Sequence, residues 1–158
     1  MITSNIQLGE GVSIDPATSV NNVTIGNHVK IAKYCSIYGS ADHPLEIGDN
    51  SYVGMFSIIN GFAAKVIVGK NVSIAQSVNI MADSGPNASQ EMQQYYPVIK
   101  GNVTIGDHSW IGANSIIMPG VKLGEFCVVA ANSFVDKSFP PYSVIGGNPA
   151  KLLKTIAI

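Results

Sequence analysis

The stretch of sequence that decides the fold is IGDHSWIGANSIIMPGVKLGEFCVVAANSFV, which occupies residues 105–135. An aliphatic residue recurs at every sixth position (Ile105, Ile111, Ile117, Leu123, Val129, Val135), and a short side chain follows most of them four places later (Ser109, Ser115, Val121, Cys127, Ser133). A period of six differs from the helical period of about 3.6 and the strand period of about two. It indicates short strands joined by tight turns, in which three hexads form one coil of about 18 residues and coils stack about 4.8 Å apart. The stretch therefore predicts an all-β fold, a parallel β-helix.

The same period extends toward the N-terminus. Four earlier coils begin with an aliphatic residue followed by glycine, at Leu8, Ile25, Ile47 and Val68. Glycine and the Asn or Asp that follows it tolerate a positive φ angle, and a three-sided coil needs such an angle at its corners. We therefore expect these motifs to form the corners of the coils.

Insertions into the repeat occur at one phase only. Every departure from the regular spacing follows the third hexad of a coil, at 38–46, 60–67 and 81–103. Insertions at one corner of successive coils lie above one another, and the face of a solenoid where loops gather usually carries its function. We therefore predict that six loop residues are neighbours in space: Asp42, His43, Asn60, Asp83, Ser84 and Asn87.

Length and charge limit the classes of partner. The 158 residues suit a single column, with a β-helix domain over 1–140, a loop insertion at 81–103 and a C-terminal tail or cap over 141–158. The net charge is −1 and the nine basic residues are scattered, so we expect no nucleic-acid partner. No long apolar run or signal peptide is visible, so we expect a cytoplasmic protein without a membrane span. Cys35 and Cys127 occupy short-side-chain positions and should pack inward.

The sequence resembles the hexapeptide-repeat acyltransferases, and especially the maltose, galactoside and polysaccharide O-acetyltransferases. The resemblance is carried by IGDHSWIGANSIIMPGVKLGE at 105–125, VVAANSFV at 128–135 and FPPYSVIGGNPAK at 139–151. It implies a left-handed β-helix, although the period alone allows either hand, and a homotrimer that binds acetyl-CoA between adjacent subunits. By match to the family motif, the residues implied to contact CoA are Trp110, Gly112, Ala113, Ala130 and Lys151.

Several of these residues have a structural alternative. Gly112, Ala113 and Ala130 occupy turn positions that the coil needs in any case, and Lys151 fits a solvated tail equally well. A metal enzyme of this fold needs three converging histidines. His28 and His108 occupy the same turn position of distant coils and cannot converge with His43, so we predict no metal site.

In the O-acetyltransferases that this sequence resembles, the long loop carries a histidine that acts as the base. The corresponding loop of this sequence contains no histidine. Gly85 or a neighbour takes that position in MADSGPN, residues 81–87. A hydroxyl acceptor needs a base within hydrogen-bond reach, and Asp83 and His43 are the candidate catalytic residues.

We expect an acetyl-CoA-dependent acetyltransferase that acts on a sugar hydroxyl in surface polysaccharide biosynthesis. Two alternatives stay open: an N-acetyltransferase that acts on an amino sugar without a histidine base, and a non-catalytic trimeric sugar-binding scaffold. The candidate substrate-binding residues are Ser84, Asn87, Asn60 and Tyr96.

Overall fold

The computed structural model describes residues 3–157 and shows a left-handed, three-sided parallel β-helix of about six coils. The first four coils contain β1 (Ile6–Leu8), β2 (Ser13–Ile14), β3 (Ser19–Asn21), β4 (Val23–Ile25), β5 (Lys30–Ile31), β6 (Ser36–Tyr38), β7 (Leu45–Ile47), β8 (Tyr52–Val53), β9 (Ile58–Asn60), β10 (Val66–Val68), β11 (Ser73–Ile74) and β12 (Asn79–Met81). The long insertion contains β13 (Asp83–Ser84), α1 (Gln90–Gln93) and β14 (Ile99–Lys100). The remaining strands are β15 (Val103–Ile105), β16 (Trp110–Ile111), β17 (Ile116–Ile117), β18 (Lys122–Leu123), β19 (Val128–Val129), β20 (Phe134–Val135), β21 (Ser143–Gly147) and β22 (Ala150–Thr155).

Each coil contributes one strand to each of three sheets. Sheet A has the order β1-β4-β7-β10-β15-β18, sheet B the order β2-β5-β8-β11-β16-β19-β21-β22, and sheet C the order β20-β17-β12-β9-β6-β3. The predicted inward residues are buried: the side chains at Ile105, Ile111, Ile117, Leu123, Val129 and Val135 are at most 1% exposed, and those at Ser109, Ser115, Val121, Cys127 and Ser133 at most 2%. A buried aliphatic side chain contributes about 1.5–3 kcal/mol, so the column is held together by its repeated interior. The predicted fold is confirmed.

Glycine at the corners has a different role from the predicted one. The positive φ angles belong to the residue two places later, as in His28 (57°), Asn50 (59°) and His108 (60°). Gly26 instead allows close stacking, because an added Cβ would lie 2.8 Å from the backbone nitrogen of Asp49 in the next coil. The expectation of a positive φ was therefore wrong for the glycine that follows the aliphatic residue and right for asparagine, as at Asn50, and the turn role of both histidines is confirmed.

Aromatic residues also occupy positive-φ corners, which the sequence did not predict. Tyr34 and Phe56 have φ angles of 61° and 63°, and their rings stack with centroids 5.3 Å apart. His108, Phe126 and Tyr142 form a second stacked column, with centroid distances of 4.6 and 5.2 Å. A left-handed conformation costs about 1–2 kcal/mol for an L-residue, and an aromatic contact returns about 0.5–1.5 kcal/mol. Stacking between coils thus offsets much of the backbone strain.

The corner between sheet C and sheet A carries all three predicted insertions. Each of them leaves a strand of sheet C and returns to a strand of sheet A. Lys65 in the second insertion contacts Glu46, the last residue of the first, with 2.7 Å between Nζ and Oε1. Successive loops therefore lie one above the other, as the phase of the insertions predicted. We call this edge the C–A corner.

The long insertion closes on itself at its base. The backbone N–H of Gly101 donates to the carbonyl of Ala82 over 2.9 Å, and β13 pairs antiparallel with β14. Helix α1 begins after Ser89, whose hydroxyl accepts from the N–H of Met92. This helix has four residues, and no helix in residues 3–157 is long and apolar enough to cross a membrane.

The C-terminal segment extends sheets A and B. Phe139 bridges to Leu123 of sheet A. In sheet B, β21 pairs parallel with β19, and β22 turns back to pair antiparallel with β21. Within the predicted C-terminal tail or cap over 141–158, residues 143–147 and 150–155 form strands. Ile158, together with the first two residues of the chain, lies outside the described residues.

Candidate active site

Asn60 and Asp83 form the polar centre of the C–A corner. Asn60 ends β9 and Asp83 begins β13, and the Asn60 Nδ2 donates to the Asp83 Oδ1 over 2.9 Å. The Asn60 Oδ1 accepts from the backbone N–H of Phe62 over 3.0 Å, which fixes the orientation of the amide. The Asp83 carboxylate is therefore held through one oxygen, and the other can accept hydrogen bonds from a ligand.

Tyr38 extends this polar centre by one coil toward the N-terminal end of the column. It pairs in register with Asn60 in sheet C and is half-buried. Burial raises the pKa of the Tyr38 phenol above its usual value, and the negative charge of Asp83 raises that pKa further. The phenol therefore stays protonated at neutral pH and can donate a hydrogen bond. Sequence reasoning missed Tyr38, although it and Asn60 each follow the last inward residue of their coils by one place.

A surface cavity of about 470 Å³ opens beside Asp83. It is lined by Phe62, Ala63, Asp83, Asn87, Gln93, Val98 and Lys100. Its volume lies in the range of about 300–1,000 Å³ that is typical of small-molecule sites. The cavity combines one aromatic ring, two amides and two charges of opposite sign, which suits a polar ligand such as a sugar.

Of the other residues predicted for the acceptor site, some line the cavity and some lie outside it. Asn87 lines the cavity, whereas Ser84 pairs with Ile99 in the hairpin and does not line it. Tyr96 is 70% exposed and lies outside the cavity lining. His43 lies in the insertion after β6, two coils below, where its backbone exchanges hydrogen bonds with that of Ser40. The structure thus brings together Asn60, Asp83 and Asn87 from the predicted set.

The residues predicted to contact CoA lie along sheet B. Trp110 is 57% exposed on the outer side of β16, in register with Val128. Ala113 lies at the corner between sheets B and C, and Ala130 lies one coil higher beside β19. Lys151 pairs with Gly146 on β22 and is exposed. These residues thus belong to successive layers of the column, on sheet B or at its corner with sheet C.

Gly112 is explained by packing alone. It is buried, and a Cβ at this position would lie 2.6 Å from the backbone nitrogen of Ala131 in the next coil. The coil therefore needs glycine at this position whether or not a ligand lies nearby. Sheet C separates this corner from Asp83 within one protomer.

Comparisons with known proteins agree with this arrangement. Residues 102–137 match the family described as the hexapeptide repeat of succinyl-transferase. The chain is 36% identical over 122 residues to a probable macrolide acetyltransferase of Lysinibacillus sphaericus, covering 74% of this chain and 67% of that protein. It is 29% identical over 153 residues to dTDP-4-amino-4,6-dideoxy-D-glucose acyltransferase of Escherichia coli, covering 91% of this chain and 79% of that protein.

A solved structure shows the same fold with ligands bound. AntD, an N-acyltransferase from Bacillus cereus in complex with dTDP and 3-hydroxybutyryl-CoA, superimposes with a TM-score of 0.82. The two chains are 28% identical, and the match covers 93% of this chain and 81% of AntD. With these relatives, the chain is an acyltransferase that uses a CoA thioester. The chain belongs to the hexapeptide-repeat acyltransferase family, which confirms the resemblance found in the sequence.

Proposed function

We propose that the protein transfers the acetyl group of acetyl-CoA to the amine of a nucleotide-linked amino sugar. One observation carries this choice between hydroxyl and amine: among the residues that the structure describes, the cavity at the C–A corner is lined by a fixed carboxylate, Asp83, and by no histidine. A hydroxyl needs a base of suitable pKa in contact with it, whereas an amine does not. The names of the Escherichia coli relative and of AntD support the amine and the nucleotide, because both proteins are named as acyltransferases and the first acts on a dTDP-linked amino sugar.

The chemistry of an amine acceptor suits the residues present. An amine that resembles an α-amino group has a pKa of about 8, so a useful fraction is neutral at neutral pH. The free oxygen of Asp83 accepts a hydrogen bond from the amine and orients its lone pair toward the thioester. The nitrogen attacks the acetyl carbonyl, the C–N bond forms and the C–S bond breaks. CoA leaves as the thiolate, and the proton lost by the amine restores its thiol.

The transfer needs no acyl-enzyme. Cys35 and Cys127 are buried, and burial raises the pKa of both thiols. The thiolate is the nucleophilic form of cysteine, and neither side chain provides it near neutral pH. A direct attack on acetyl-CoA is therefore the simplest route, with proximity supplying much of the acceleration.

We further propose that the complete site forms between two copies of the chain in a homotrimer. Trp110 and Ala113 lie on sheet B and at its corner with sheet C, whereas Asp83 lies at the C–A corner. A threefold arrangement brings the sheet B side of one protomer against the C–A corner of the next. Acetyl-CoA would then bind along Trp110 of one protomer and present its acetyl group to Asp83 of the other.

The acceptor is tested with matched pairs of sugars. Each pair contains an amino sugar nucleotide and the corresponding sugar nucleotide with a hydroxyl in place of the amine, and the release of CoA thiol is followed. We expect turnover with the amine only. Turnover with the hydroxyl alone would contradict the proposal, and binding without thiol release from either would support the scaffold alternative.

Variants then test the residues. Asp83→Asn should lower kcat/KM for the amine by more than tenfold, whereas Asp136→Asn, an exposed carboxylate higher on the column, should leave it unchanged. His43→Ala should also leave it unchanged, because His43 does not line the cavity. Full activity in Asp83→Asn would remove Asp83 from the mechanism. A large loss in His43→Ala would favour the hydroxyl acceptor with His43 as base, which stays the second candidate because His43 lies on the same edge of the column.

A further inference from the structure

Asp83 and Lys100 are opposite charges that face each other without pairing. They are directly opposite in the antiparallel hairpin of β13 and β14, so their side chains project from the same face. Both line the cavity at the C–A corner. Among residues 3–157 the ion pairs are Lys65 with Glu46 and Lys70 with Asp49, so the Asp83 carboxylate and the Lys100 ammonium lie more than 4.0 Å apart.

Asn60 anchors the Asp83 carboxylate to the column. The Asp83 Oδ1 accepts a hydrogen bond from the amide of Asn60, and that amide is itself fixed by the N–H of Phe62. The other oxygen of Asp83 stays available to a ligand. Lys100 is exposed, and among residues 3–157 it is the one cationic side chain that lines the cavity. The cavity thus has a negative end anchored to the column and a positive end on the hairpin.

We infer that Lys100 binds the phosphate of a phosphorylated amino sugar while Asp83 holds the amine of the same molecule. This inference rests on the proposed function and adds an anion-binding residue to it. A nucleotide-linked amino sugar carries an amine at one end of its sugar ring and a diphosphate at the other. The lysine ammonium is a compact charge on a flexible four-carbon stem, so it can reach a phosphate that lies one ring away from Asp83. The opposite charges of the cavity match those of this acceptor and orient it.

The matched substrates for the test are a dTDP-linked amino sugar and the phosphate-free methyl glycoside of the same amino sugar. In Lys100→Met we expect kcat/KM for the dTDP-linked acceptor to fall about tenfold through KM, which corresponds to about 1.4 kcal/mol. The value for the methyl glycoside should not change, and Lys100→Arg should restore most of the loss because it retains the charge. The control Lys122→Met removes an exposed lysine of sheet A, which carries neither Trp110 nor Asp83, and should behave as wild type. An equal loss with both acceptors would show a structural role and overturn the inference.

A binding measurement keeps the inference separate from the chemistry. The affinity for dTDP is measured by calorimetry with CoA present at saturation, so that the CoA site is already filled. We expect the affinity to fall about tenfold in Lys100→Met only, and to weaken with salt in the wild type. Equal affinity in wild type and Lys100→Met would overturn the role of Lys100. Failure of the proposed function has a different signature, since the wild type would then acetylate neither amino sugar.

Discussion

The hydrogen bond between Asn60 and Asp83 can be tested by changing one atom. Asn60→Asp is close to isosteric and keeps the oxygen that accepts from the N–H of Phe62. It replaces the donor Nδ2, which lies 2.9 Å from the Asp83 Oδ1, by a carboxylate oxygen. The substitution therefore removes an attractive contact and introduces two carboxylates that cannot easily both be ionised.

The expected loss of stability follows from the half-buried position of the pair. Two unit charges about 4 Å apart repel by about 1 kcal/mol in water and about 4 kcal/mol at the effective dielectric constant near a protein surface. Both side chains are partly exposed, so an intermediate value of about 2 kcal/mol applies. For a chain of this length, about 2–4 °C per kcal/mol predicts a fall in Tm of about 4–8 °C near neutral pH.

The loss should depend on pH in a definite direction. In the variant, repulsion between the two carboxylates raises the pKa of one of them above the unfolded value of about 3.9. The variant should therefore approach wild-type stability below about pH 4 and lose it as the pH rises through that raised pKa. The measurement is Tm by circular dichroism from about pH 4 to pH 8, at one protein concentration because Tm depends on concentration in an oligomer.

The matched control is Asn79→Asp on the neighbouring strand β12. Asn79 is half-buried like Asn60, but its partners in register are Ile58 and Ile116. It therefore reports the cost of placing a charge on sheet C without a facing carboxylate. If Asn60→Asp loses no more stability than this control, or loses it equally at every pH, the interaction with Asp83 is too weak to fix the site.

The remaining predictions concern the CoA side and the thiols. Trp110→Ala should raise KM for acetyl-CoA about tenfold and leave Tm within about 1 °C of wild type, because the indole is 57% exposed. Gly112→Ala should instead lower Tm, since overpacking costs about 1–3 kcal/mol. A fall in Tm for Trp110→Ala with KM unchanged, together with a raised KM for Gly112→Ala with Tm unchanged, would contradict the roles given to these two residues. Cys35 and Cys127 have a raised pKa, so their thiolate fraction is negligible up to about pH 8 and neither should react with a thiol reagent in the native state. Rapid labelling of the native protein would show that a thiol is accessible.

The fold could be predicted because the six-residue period identifies the side chains that point inward. The same period predicted the corner that carries the insertions. All of them follow the third hexad of a coil, and that position corresponds to one corner of the column. It could not predict why glycine is needed at Gly26 or Gly112. Their role depends on which backbone atoms of the next coil approach them, and that depends on the register between coils.

The candidate site was predicted in part for the same reason. Asn60 and Asp83 were expected to be neighbours from the phase of the insertions, and their hydrogen bond places them together. Lys100 could not be found, because the segment 82–102 has no repeat from which to predict the register of its hairpin. Its pairing with Asp83 depends on chain reversal around α1, and only the structure gives that pairing.

The closure of the long insertion at Ala82 and Gly101 has an evolutionary consequence. A segment whose two ends already meet can be lengthened, shortened or exchanged while the coils above and below keep their spacing. Mutations in residues 83–100 can thus change the acceptor that binds while the column keeps its fold. Relatives with the same column can diverge in substrate by exchanging this one segment.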